Sequence, residues 1–155
     1  MDAVNTKTDA LRPILNERQI ESLFEDVDPD QVQCYIRASI NGIMYHTVRY
    51  KTNVKFSYNT EVMFEDELQI AQLEAFVLIN EYGFAVVRLY DKIGVHSLGK
   101  YPVNRSTPSK TMNVVNLSQI RRLVGLNHVK NPIIYGVDGD NRANRTAAHT
   151  IPIFY

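Results

Sequence analysis

The stretch "CYIRASINGIMYHTVRY" at 34–50 constrains the fold more than any other part of the chain. Val32, Cys34, Ile36, Ala38 and Ile40 alternate with Gln33, Tyr35, Arg37 and Ser39, the two-residue period of a strand with one buried face. Asn41-Gly42 supplies two residues that tolerate positive φ, so a type I′ turn folds this strand back on itself with the correct twist. A two-residue loop pairs Ile40 with Ile43, Ala38 with Tyr45, Ile36 with Thr47 and Cys34 with Arg49. The outward face then carries Tyr35, Arg37 and Ser39 against Met44, His46 and Val48. A slip of one residue would exchange the two faces, so the turn sets the register.

The rest of the chain extends this β pattern. Residues 1–7 are polar and expected to fray, and the spacing of Leu11, Ile14, Leu15, Ile20, Leu23 and Phe24 predicts one helix over about 13–24 after Pro13. The acidic "EDVDPD" ends it. Strands are expected in "VKFSYNTEVMF", "LQIAQLEAFVLI" and "FAVVRLY", separated by "EDE" at 65–67 and by the turn "NEYG". "VVNLSQI" and "PIIYG" read as shorter strands, and "IRRLVGL" as a bent strand or a single helical turn. "STPSK" and "DGDNRANRT" are loops, and Pro152 confines the terminal "HTIPIFY" to an edge. The expected fold is mainly β with one N-terminal helix: an antiparallel meander closing into a small SH3-like β-barrel. One domain spans 8–155, with the barrel over about 32–135 and an edge segment at 149–155.

Composition narrows the function classes. Seventeen basic residues offset seventeen acidic ones, so no global field draws the chain to nucleic acid or an anionic membrane. The lone Cys34 forms no internal disulfide, and the N-terminus lacks the apolar core of a signal peptide, which predicts an intracellular location. The longest apolar run, "AFVLI", is far short of the roughly 20 residues a membrane helix needs, so no membrane partner is expected. The sequons at Asn104, Asn116 and Asn144 are then chance matches.

The tests for chemistry argue against an enzyme. His46, His96, His128 and His149 show no paired ligand spacing, which predicts no metal. Cys34 shares a strand face with Val32 and Ile36, as an inert thiol would. There is no G-x-S-x-G, Gly99-Lys100 lacks the rest of a P-loop, and "VDGDN" lacks the glutamate that completes a calcium loop. Glu65, Asp66, Glu67 and Glu74 are the available carboxylates, and a run of acids between strands reads as a solvated loop. No cofactor and no catalytic residue is expected.

The succession "CYIRASINGIMYHTVRY", "YNTEVMF", "LQIAQLEAFVLINEYGFAVVRLY" and "VVNLSQIRRLVGL" resembles the β-rich module attached to transposase-like and transposon-derived proteins. It is also similar to SH3-like barrels of the bromo-adjacent-homology type, and the resemblance covers about residues 32–126. It implies a nuclear binding module that contacts protein or nucleic acid and carries no catalytic residues. The neutral charge and the absence of Trp depart from a methyl-lysine cage, so no histone ligand follows.

Two functional readings result. The first is a non-catalytic domain whose hairpin face, with Tyr35, Met44 and Val48, binds another protein or a second copy of the chain, unless the N-terminal helix covers it. The second is nucleic-acid binding through Arg37, Arg49, Lys51 and Lys55, joined by Arg121 and Arg122, with Tyr35, Tyr50 and Tyr58 as stacking platforms. His46 lies on the same hairpin face and completes the candidate set.

Overall fold

The structure is a computed structural model that describes residues 14–50, 58–96, 102–129, 134–135 and 149–154. The expectations for residues 1–7, for Lys51 and Lys55, and for "DGDNRANRT" lie outside the described residues. The helix, α1 (Glu17–Leu23), starts later than the 13–24 read from periodicity. Asn16 is its N-cap: its side chain accepts from the Gln19 N–H at 2.8 Å, and the Gln19 side chain accepts from the Asn16 N–H at 3.0 Å. This reciprocal box starts the helix at Glu17 and leaves Ile14 and Leu15, each 4% exposed, as a buried non-helical lead-in.

Twelve strands follow among the described residues. They are β1 (Val32–Tyr35), β2 (Arg37–Ile40), β3 (Ile43–His46), β4 (Asn59–Phe64), β5 (Glu67–Ile79) and β6 (Tyr82–Leu89). The remainder are β7 (Lys92–His96), β8 (Pro102–Arg105), β9 (Asn113–Asn116), β10 (Ile120–Val129), β11 (Ile134–Tyr135) and β12 (His149–Phe154). All pairs are antiparallel, in the order β11-β7-β8-β12-β10-β4-β5-β6-β9, with β1 also on β5 and with β2-β3 as a separate ribbon. No pairing among the described residues joins β11 to β9, so the pairings described do not close the expected barrel.

The strand expected over 32–40 is two strands. Asn41 and Gly42 take φ of 51° and 81°, and the ribbon pairs Ile40 with Ile43 and Ala38 with Tyr45, in the register the turn dictates. The Thr47 N–H still reaches the Ile36 carbonyl at 2.8 Å. At Ile36 the chain bends, and β1 leaves the ribbon to pair with β5, placing Cys34 opposite Val77 instead of Arg49. The ribbon is exhausted there, whereas the far half of β5 has a free edge whose backbone groups need partners.

The thirteen-residue β5 organises the sheet. One edge takes β4 along Glu67–Gln72 and β1 along Phe76–Ile79, and the other takes β6. Between Leu73 and Ala75 the register shifts, and this bulge at Glu74 reverses which residues face which side. Glu65 and Asp66, with φ of 50° and 63°, form a second two-residue turn, so the acidic run is a tight hairpin between β4 and β5. "IRRLVGL" is strand, with an irregularity between Ile120 and Arg122. The terminal segment is not an edge: β12 lies between β10 and β8. Among the described residues only His149 and Thr150 pair with β8, so Pro152, opposite Leu126, has no second described neighbour that asks for its missing N–H.

The two sides of the sheet differ. On one side Ala38, Ile40 and Tyr45 of the ribbon pack with Val62, Leu73, Phe76, Val87, Val115 and Leu117. On the other, Ile20 and Phe24 of the helical segment, with Ile14 and Leu15, cover Ala75, Val77, Ile79 and Val86. The Phe24 and Phe84 rings meet edge-on at 5.8 Å. Beyond the helix on that second side, Ile70, Tyr90 and Val124 form a third small cluster.

Candidate functional site

The outward face of the ribbon holds a stacked group. Arg37 and His46 are cross-strand partners, and Tyr50 follows four residues after His46. The His46 and Tyr50 rings lie 4.3 Å apart, tilted by 32°. The Arg37 guanidinium sits 5.5 Å from the Tyr50 ring centre and donates to the Tyr50 hydroxyl at 3.3 Å. Partial burial, then the Arg37 charge, hold the His46 imidazole below its ordinary pKa, so it favours the neutral, stacking form. Met44, half-buried, lies across from Ser39 beside this group, with Ile43 46% and Val48 42% exposed at its margins.

The helix does not cover this face. It packs on Val32, Cys34 and Ile36, which the bend at Ile36 sends to its side of the sheet, while Tyr35 turns onto the opposite core. Tyr35 therefore leaves the outward face it was expected to share, and its hydroxyl donates to Gln33 at 2.9 Å. Arg49 is exposed, and its charge acts on the Cys34 thiol. Burial pushes that thiol up against the smaller opposing pulls of a Leu15 backbone hydrogen bond and of Arg49, which keeps it protonated and unreactive.

Arg121 and Arg122 do not join the stack. Arg121 is exposed at the β10 irregularity, and Arg122 pairs with Glu61 at 3.3 Å, one residue out of step with Val62 of the ribbon-side core. The carboxylates separate as well. Glu65, Asp66 and Glu67 are exposed, whereas Glu74 is 7% exposed and bound to Arg88 at 3.0 Å.

Glu74 belongs to a buried polar chain absent from the expectations. The Tyr90 hydroxyl donates to Asn59 at 3.0 Å and lies 3.4 Å from Gln72, and the Gln72 amide donates to Glu74 at 2.9 Å. Arg88 continues it to the Lys110 carbonyl. Burial, then Tyr58 and Glu74, raise the Tyr90 phenol well above its usual range, so it stays a donor. Only the alternation of Asn59 and Glu61, and of Gln72 and Glu74, marks these positions in the sequence, and that pattern is the same for a polar face open to water. Among the described residues no group of three or more potential metal ligands converges, and no helix is long and apolar enough to cross a membrane.

No family model matches the chain, and no curated protein and no solved structure is significantly similar to it.

Proposed function

We propose that this chain is a non-catalytic interaction domain that binds another protein through the outward face of the β2-β3 ribbon. The observation that carries this is the pairing of exposed apolar residues, Ile43 and Val48, with a preformed Arg37–Tyr50–His46 stack. Side chains already held in place lose little freedom on binding, and Arg and Tyr are the residues that anchor protein interfaces. The likeness to transposon-derived and SH3-like modules supports a nuclear, chromatin- or transposon-related assembly as its setting. The SH3-like barrel belongs to the same proposal.

Nucleic-acid binding is the second reading, resting on Arg37 with Arg49. It is the weaker one because the Tyr50 ring is already occupied by His46 and Arg37 rather than open to a base, and Arg122 is committed to Glu61. Affinity purification from nuclei with wild type, Met44→Asp and Arg37→Ala tests both. Loss of a specific protein with Met44→Asp at unchanged melting temperature is the expected result. Identical partners for wild type and Met44→Asp would remove the ribbon face from consideration. Salt-dependent binding of labelled DNA or RNA that Arg37→Ala abolishes would favour the second reading.

A further inference from the structure

On the side of the sheet away from the ribbon, a cleft of about 550 Å³ opens over the start of β5. It lies between Glu61 and Arg122 on β4 and β10 and Val95 and Asn104 on β7 and β8, with Leu68 and Ile70 along one wall. Its size suits a small organic molecule. Three properties define what it would hold. Its charged lining balances, Glu61 and Glu67 against Lys92 and Arg122, so it offers no field for a polyanion. Leu68, Ile70 and Val95 give it an apolar strip, and Leu68 is 56% exposed although nothing polar is gained by leaving it there.

The third property is Asn104. This residue is 2% exposed, lines the cleft, and its side-chain amide nitrogen has no hydrogen-bond acceptor among the described residues. A buried N–H without a partner is a standing cost to the fold, and a donor kept at that cost calls for an acceptor that the described residues do not supply. The neighbouring Glu61 carboxylate accepts from Arg122 and has lone pairs left for a second donor.

We propose that this cleft is a binding site for an uncharged small molecule bearing an amide-type carbonyl beside an N–H. The carbonyl oxygen accepts from Asn104, the N–H donates to Glu61, and an apolar edge lies on Leu68, Ile70 and Val95. The site is independent of the ribbon face, so neither proposal falls with the other.

The test is an NMR titration of the intact chain with three probes: thymine, N-acetyl-leucinamide and inorganic phosphate. At least one amide probe shifts the Ile70 and Val95 methyl signals with a Kd on the order of 1 mM, and phosphate does not. Thymine and N-acetyl-leucinamide distinguish a cyclic from an open-chain ligand. Asn104→Leu weakens that binding about tenfold or more while holding or raising the melting temperature, because it deletes an unpaired buried donor. Leu68→Asp, at an exposed position, weakens it too and keeps the test decisive should Asn104→Leu not fold. Absence of any shift with both amides, binding of phosphate in their place, or unchanged affinity in the folded Asn104→Leu protein would overturn the proposal.

Discussion

The two sides of the central sheet are built from the same strands and held by different forces. Towards the ribbon, Ala38, Val62, Leu73, Phe76 and Val87 are fully buried and the contact is mainly apolar, with the Thr47 and Thr60 side chains buried beside it. Away from it, Asn59, Glu61 and Glu74 are almost as deeply buried, and they are satisfied by Tyr90, Arg122 and Arg88. The first side rests mainly on non-directional packing. The second depends on named partners, because a buried charge without one is costly. The bulge at Glu74 lets one strand serve both, since it shifts Phe76 onto the ribbon side and Ala75 and Val77 onto the helix side.

The comparison can be broken at its apolar side first. Phe76→Ala should cost about 4 kcal/mol in urea unfolding, the range for deleting a buried aromatic ring. A loss below about 2 kcal/mol would mean that the ribbon collapses into the space and that this side is less tightly packed than its burial indicates.

Next comes the polar side. Arg88→Met should cost about 3 kcal/mol because it leaves the buried Glu74 carboxylate without its counter-charge and with the Gln72 amide as its remaining described donor, and the double variant with Glu74→Gln should recover part of that. Additive losses would show that the pair is not coupled and that the two sides differ less than described.

Gly42→Val sharpens the role of the ribbon, which lies over the apolar side. The φ of 81° disfavours any β-branched residue, and nothing lies within 4 Å of an added Cβ, so the cost of about 2 kcal/mol is backbone strain alone. No measurable loss would indicate that the turn can relax without disturbing register.

The smallest effect concerns the outward ribbon face. His46 has a folded pKa below the 6.5 of the unfolded chain, so protonation favours the unfolded state. Stability is full above pH 6.5 and falls as the pH drops through 6.5 towards the folded value. Between about pH 7.5 and pH 5.5 the wild type should lose more melting temperature than His46→Gln. Equal losses would mean that the imidazole feels neither its burial nor Arg37.

The apolar side was legible in the sequence where a local signal marked it. Asn41-Gly42 between alternating runs specifies the ribbon register without reference to the rest of the chain, and the apolar runs of β5 and β6 announce strands buried on both faces. The late start of the helix was also written there, in Asn16 and Gln19, and the apolar spacing of Ile14 and Leu15 obscured it. The candidate site was legible in part. Arg37, Met44 and His46 lie together on the ribbon, but Tyr35 and Arg122 were assigned to it by parity along a strand or by charge, and neither accounts for a bend or for a distant partner.

What the sequence determined by itself is therefore local: the turns, the strand periods, the helix cap and an apolar set large enough for one core. Tertiary structure alone decided that β1 leaves the ribbon at Ile36 for β5, that the helix covers Val32 and Cys34 rather than the outward face, and that Asn59, Glu61 and Glu74 are buried. The physical reason is that a strand's period states only that its two faces differ. Whether the polar face meets water or a partner such as Arg88 depends on residues distant along the chain, and on which free edge offers backbone groups to pair.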